Sequence, residues 1–310
     1  MRKNPFSIYD FLGYIFPGAL VLCIGYVLME LQSYECTEGL YCCVKDIIGN
    51  LYTRTTFSFE NTIFMTVASY VIGHFIAYLS SLTVEKFSIW AYGFPSDFLL
   101  KYSSRSYFNV VISREGEPHI RMIIWRFMVA LLLLPLSICS VVFSKWLGVK
   151  YLFLKTLDDD LVRNIKEKSC ELAHYLGYYT DGAETDFFRV IYHYEYELQK
   201  THACKMDNYV ALYGFMRAIT FIFSSTFMLV FTFMLVRWYF DWELFWLLVS
   251  LMFVAYIFFM GFMKFYRRFT LEGFMCLIID TSYKFTDESD ASKDSSSTEI
   301  TIKHHTASKH

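Results

Sequence analysis

Four stretches of this chain are each about 20 or more residues of nearly unbroken apolar sequence: Phe11 to Leu31, Ile63 to Leu82, Leu212 to Val236 and Leu244 to Met263. A helix rises 1.5 Å per residue, so about 20 apolar residues cross a hydrocarbon core of roughly 30 Å. Each stretch meets that length. The composition agrees, at 55% hydrophobic, 20% aromatic and only 19% charged, which is the profile of an integral membrane protein. A fifth stretch, Met122 to Phe143, is long enough but carries Arg126 and is interrupted by Pro135 in "LLLLPLSICS". Proline removes a helical hydrogen bond and clashes with the preceding turn, so it leaves two halves too short to span singly. The expected fold is all-α: a polytopic helical membrane protein with four full spans, a proline-broken segment that is re-entrant or a fifth span, and a small helical cytoplasmic domain.

Orientation is read from lysine and arginine, which concentrate on the cytoplasmic side. With five simple spans, 8 of these residues fall inside and 18 outside; with a re-entrant fifth segment the count becomes 23 inside and 3 outside. The second arrangement is preferred. It keeps both termini and residues 145–209 in the cytoplasm. Arg2 and Lys3 before the first span resemble the start of a signal peptide, but the apolar run is too long and lacks a small-x-small cleavage site. The expectation is that Phe11 to Leu31 is retained as a signal anchor.

The sequence divides accordingly. Residues 1–84 hold the first two spans and an outer loop, 85–147 a cytoplasmic loop and the broken segment, and 148–209 an amphipathic helical domain. Residues 210–264 hold the last two spans, 265–286 an interfacial amphipathic segment, and 287–310 a polar tail read as disordered. In the domain, "LDDDLVRNIKEKSCELAHYLG" places Leu161, Ile165, Leu172 and Leu176 at helical spacing, with Gly177 after the last turn. A second helix follows from about Thr185, with Phe187, Ile191, Tyr194 and Leu198 along one side.

Within the second span, Ser69, Gly73, Ala77 and Ser81 recur every four residues, and Gly214 and Ala218 repeat the spacing in the fourth. Apolar helices gain no hydrophobic free energy by associating in lipid, so they meet where small residues let backbones approach. These six positions are the expected helix-packing and oligomerisation seam, either between the two spans or between copies of the chain. His74 beside the seam and Arg126 in the broken segment form the expected intramembrane polar site.

Other constellations have plain readings. Asp158, Asp159 and Asp160 suit a helix N-terminus, whose partial positive charge and free amides favour acids. Cys36, Cys42 and Cys43 lie in the outer loop, where one disulfide can form; their spacing does not suit zinc. His304, His305 and His310 fall in the polar tail. Lys264, Arg267 and Arg268 are the densest basic group and fit anionic lipid headgroups. Residues 145–209 balance nine basic residues with eleven acidic ones, so no nucleic-acid partner is expected. No phosphate-binding loop, H-E-x-x-H or G-x-S-x-G motif is present, so neither catalytic residues, a cofactor nor a metal is expected.

Two motifs carry a family resemblance. "FSIYDFLGYIFPG" at the start and "YVALYGFMRAITF" at the fourth span resemble features of uncharacterised bacterial inner-membrane proteins, some of which lie near phage-defence genes. The resemblance implies a setting in antiviral defence and brings no catalytic residues with it. The functional expectation is an oligomeric membrane scaffold or effector, bound to membrane lipids and to a cytoplasmic protein partner. The alternative is an ion channel or small transporter in which His74 has a proton- or ion-linked role.

Overall fold

The computed structural model describes residues 10–33, 44–50, 59–101, 107, 120–148, 154–178, 187–198, 200–237 and 242–279. Cys36, Cys42, Cys43, residues 280–286 and the tail with His304, His305 and His310 lie outside the described residues. Among those described, all regular structure is helical and four helices are long and apolar enough to cross a membrane.

The first helix, α1 (Phe16–Ser33), is preceded by a π turn at Phe11–Ile15. It lies antiparallel to α2 (Phe59–Ser80), with Tyr14 against Gly73 and Gly18 against Ser69. Helix α2 does not stop at the end of its apolar run. A π turn at Ser81–Glu85 leads directly into α3 (Lys86–Tyr92). There Gly93 adopts φ +85°, a conformation closed to most side chains, and Pro95 opens the short α4 (Pro95–Leu99).

The broken segment consists of α5 (Ile120–Leu132) and α6 (Leu134–Cys139), continued by a π turn at Ser140–Trp146, with a 90° bend between its two halves. Pro135 is the cause, and the sequence repairs its damage locally. Ser137 Oγ donates to the Ala130 carbonyl at 3.0 Å, and Ser137 N donates to the Leu133 carbonyl at 2.9 Å. Backbone groups freed inside lipid need such substitutes.

Two helices follow the broken segment, α7 (Asp159–Tyr175) and α8 (Phe187–Leu198), before the long hairpin of α9 (Lys200–Arg237) and α10 (Trp242–Ile279). At 38 residues each, the hairpin helices are about 57 Å long, nearly twice the hydrocarbon thickness. Their antiparallel register shows in ring pairs: Phe223 with Phe258 at 6.0 Å and Tyr213 with Phe269 at 5.9 Å. Residues 265–279 are therefore not a separate interfacial segment. They continue α10 unbroken and bury Thr270, Gly273, Phe274 and Leu277.

Helix α7 packs through Val162, Ile165, Ser169, Leu172 and Ala173, a face rotated from the expected one, since Leu176 is exposed. Its C-terminus follows the sequence signal: Gly177, at φ +76°, lets Gly177 N reach the His174 carbonyl and Tyr178 N reach the Ala173 carbonyl. The aspartates open α7 as expected, with Asp158 at the N-cap and Asp159 and Asp160 in the first turn. Asp158 makes no side-chain cap bond, while Asp159 pairs with Lys101 and Asp160 with Arg163. In α8 the buried positions are Phe187, Ile191 and Glu195, and Leu198 is exposed.

Candidate functional site

The chain before the broken segment meets the chain after it. Leu157 N donates to the Leu99 carbonyl at 3.4 Å, and Lys101 pairs with Asp159 at 2.5 Å. The hydrogen bond from Lys101 holds the Asp159 carboxyl below the usual carboxylate range. Arg267 Nε adds a third tie, donating to the Lys155 carbonyl at 3.0 Å. The strap of residues 154–159 is thus fixed to α4 and α10.

Both halves of the broken segment also return to the α3 end of the bundle. Arg126 in α5 lies 5.2 Å from the Trp90 ring, a cation–π contact, and Arg126 Nη1 donates to the Tyr107 carbonyl at 2.7 Å. Tyr107 Oη donates to the Arg126 carbonyl at 2.8 Å. Burial pushes the Tyr107 hydroxyl up to about 12, against the opposing charge of Arg126. On the other side of the bend, Tyr92 Oη donates to Ser140 Oγ at 3.1 Å. Between them Leu134 reaches the cluster of Phe227, Val230 and Leu248 at the opposite end of the hairpin. The segment bends by 90° between these contacts.

Each π turn coincides with a polar or close contact. Tyr14 of the first stacks on His74 with ring centroids 3.8 Å apart, and Tyr70 meets the same ring edge-on at 4.5 Å. Glu85 ends the second and pairs with Arg217 of α9, which also approaches the Ala77 carbonyl at 3.5 Å. Ser140 opens the third. A π turn widens the helix and misplaces carbonyls, which need other donors. Around the second, Ser80, Ser81 and Thr83 hydroxyls donate to the carbonyls of Ala77, Tyr78 and Leu79.

The Glu85–Arg217 pair is the strongest electrostatic feature of the apolar region. Its side chains are 29% and 14% exposed, and Tyr213 beside it packs at a tilt against Tyr266, ring centroids 5.3 Å apart. Removing one partner strands a charge in a low-dielectric setting. Inspection of the sequence passed over Arg217 even though it lies six residues inside an apolar run. That was the available signal: a lone arginine at such a depth needs an acid, and Glu85 follows the second run directly.

The small-residue seam is used within the chain. A methyl group on Gly73 would collide with the Tyr14 backbone, and one on Gly18 with the Ser69 backbone. Ser69 and Gly73 therefore meet α1 and the π turn before it, while Ala77, half-buried further along α2, is approached at its carbonyl by Arg217 of α9, and Ser81 lies half-buried in the second π turn. Ala218 is fully buried, but nothing lies within 4 Å of a methyl group placed on Gly214. His74 is exposed on the outside of the bundle and Arg126 is buried inside it, so the two expected polar residues do not form one site. Lys264 and Arg268 are exposed, while Arg267 is spent on the strap. Among the described residues no group of three or more His, Cys, Asp or Glu could hold a metal ion.

Comparison with protein-family models, with curated proteins and with solved structures found no match to this chain.

Proposed function

We propose that this chain is a four-span inner-membrane protein whose helical domain, on the cytoplasmic side, acts on the bilayer through a re-entrant α5–α6 segment. The observation that carries the reading is the tie between Leu99 and Leu157, reinforced by Lys101 and Asp159. Chain flanking a segment that crosses a bilayer ends on opposite sides; here the flanks touch. An even number of crossings then puts the N-terminal end of α1, the domain and the C-terminal end of α10 on one side, which the lysine and arginine bias makes cytoplasmic.

In this reading the protein is an oligomeric scaffold or effector that receives a cytoplasmic protein partner at α7 and α8. The strap passes their displacement to the re-entrant segment. Conformational coupling of this kind needs two arrangements that the partner binds unequally. The two sequence motifs support antiviral defence as the setting. Reconstitution in liposomes tests the core of the proposal: the wild-type chain leaves an ion gradient intact until the domain is engaged, and cutting the strap with Asp159→Ala and Lys101→Ala changes the response. A steady ion flux without any partner, unaltered by those substitutions, favours the channel reading instead. The Glu85–Arg217 pair in the apolar region is the observation on that side.

A further inference from the structure

Three polar rings, Tyr70, His74 and Tyr78, stand one turn apart on α2. Tyr78 is four residues from Leu82, so its hydroxyl reaches headgroup level, as tyrosines near span ends do. Tyr70 and His74 cannot. His74 is eleven residues from Ile63 and eight from Leu82, about 16 Å and 12 Å from the two ends of the apolar run. It is exposed, and its ring contacts are Tyr14 on one face and Tyr70 at its edge. Neither its ring nitrogens nor the Tyr70 hydroxyl makes a hydrogen bond among the described residues.

Polar side chains at that depth face a bundle interior or a water-filled cavity, because hydrocarbon offers no partner. Here His74 is exposed and Tyr70 lies half-buried beside it. Phospholipid ester oxygens lie at the interface and do not reach mid-depth. Among the described residues none covers the exposed edge of His74, and the apolar stretches of spanning length are already placed in α1, α2, α5–α6, α9 and α10. Helix α2, which carries the rings, is itself sparsely enclosed, with 17% of its apolar window buried against 22% in α10 and 44% in α9. The cover comes from another molecule.

The chemistry of the row selects which one. A tyrosine hydroxyl and a neutral imidazole each both donate and accept. Two copies inserted the same way round, related by a two-fold axis along the membrane normal, bring each residue to its own counterpart at equal depth. A row of carboxylates or ammonium groups would repel itself in that arrangement; this row complements itself. An i, i+4 row is inclined to the helix axis, so two such rows cross at roughly −40° to −50° and touch over a short central length. We propose that Tyr70 and His74 are the centre of a homodimer contact, paired with the same residues of a second copy. The proposal rests on the reading that α2 crosses the bilayer.

A photo-reactive benzophenone residue in place of Val67, beside the row, and in place of Phe75, about 120° around the helix from its centre, tests the contact in native membranes with the full chain. The expected product from position 67 is an adduct of two copies, with little from position 75. Native mass spectrometry of the wild type should give a dimer. Tyr70→Phe with His74→Leu should weaken dimerisation about ten-fold or more, since each interhelical hydrogen bond in lipid contributes modestly and two or more are lost. Tyr70→Phe alone, which keeps the ring and its edge contact with His74, should weaken dimerisation in the same direction with little change in the thermal midpoint of the single chain. A monomeric wild type, equal adducts from both positions, or adducts to lipid or another protein alone would overturn the proposal. Labelling of Val71→Cys by an impermeant thiol reagent separates the two failures: protection with no dimer sinks the contact only, whereas free labelling sinks the bilayer placement of α2 as well.

Discussion

Gly73 and Gly214 carry the same sequence signal, a small residue in a four-residue repeat inside an apolar helix, and the structure gives them different work. At Gly73 a single methyl group would meet the Tyr14 backbone, which cannot rotate away as a side chain would. Gly73→Ala should therefore force α1 off α2 and destabilise the chain by about 1–3 kcal/mol, the usual cost of overpacking. Gly18→Ala should behave alike. Gly214→Ala meets nothing within 4 Å and should be neutral, or stabilising by up to about 1 kcal/mol from helix propensity. Detergent-induced unfolding of the three variants checks the contrast. Spacing identifies small residues but not the helix that approaches them. That second fact depends on Gly18, which lies outside the four-residue repeat and in the structure is the other half of the contact.

Helices α2 and α9 meet at a charge as well as through packing. Glu85→Gln leaves Arg217 without its carboxylate, beside the Ala77 carbonyl and Tyr213, and Arg217→Gln leaves Glu85 without its guanidinium in the same apolar setting. The two single changes together should destabilise more than the double change does, with a coupling of about 1–3 kcal/mol in a double-mutant cycle. Additive effects would mean that the pair is solvated and contributes little. The Tyr107–Arg126 latch on α5 makes a second prediction at this scale. Burial raises Tyr107 from 10.0 to about 12, so the folded state favours the neutral phenol. Its contribution is complete below pH 10 and is lost as the pH rises towards 12. Tyr107→Phe lacks the hydroxyl bond at every pH. Its thermal midpoint should lie below wild type at pH 8, and the gap should close as pH approaches 12. A gap that stays constant would show that the hydroxyl does not ionise within the latch.

How the elements assemble was legible wherever one local signal decided the outcome. Pro135 marked the bend, Gly177 marked the end of α7, and the four apolar runs marked the helices that are long enough to cross. It was not legible where tertiary contacts override a boundary. Met263 to Lys264 reads as the end of a span, yet α10 continues to Ile279 because Thr270, Gly273, Phe274 and Leu277 find cover on the domain. The Glu85–Arg217 pair joins residues 132 positions apart, a separation that no periodicity reports. The proposed topology rests on the same long-range ties and has a direct test. If the strap keeps both flanks of α5–α6 on one side, Lys101→Cys and the native, exposed Cys170 should respond identically to an impermeant thiol reagent in intact cells, with labelling resolved peptide by peptide. Both should be protected, and both should react after permeabilisation. Glu243→Cys, at the start of α10 and at the far end of the hairpin, should label without permeabilisation. Labelling of Cys170 with Lys101→Cys protected would mean that the broken segment crosses the bilayer. The two sides of the Leu99–Leu157 bond could not then coexist, and the mechanism built on the strap would fall with it.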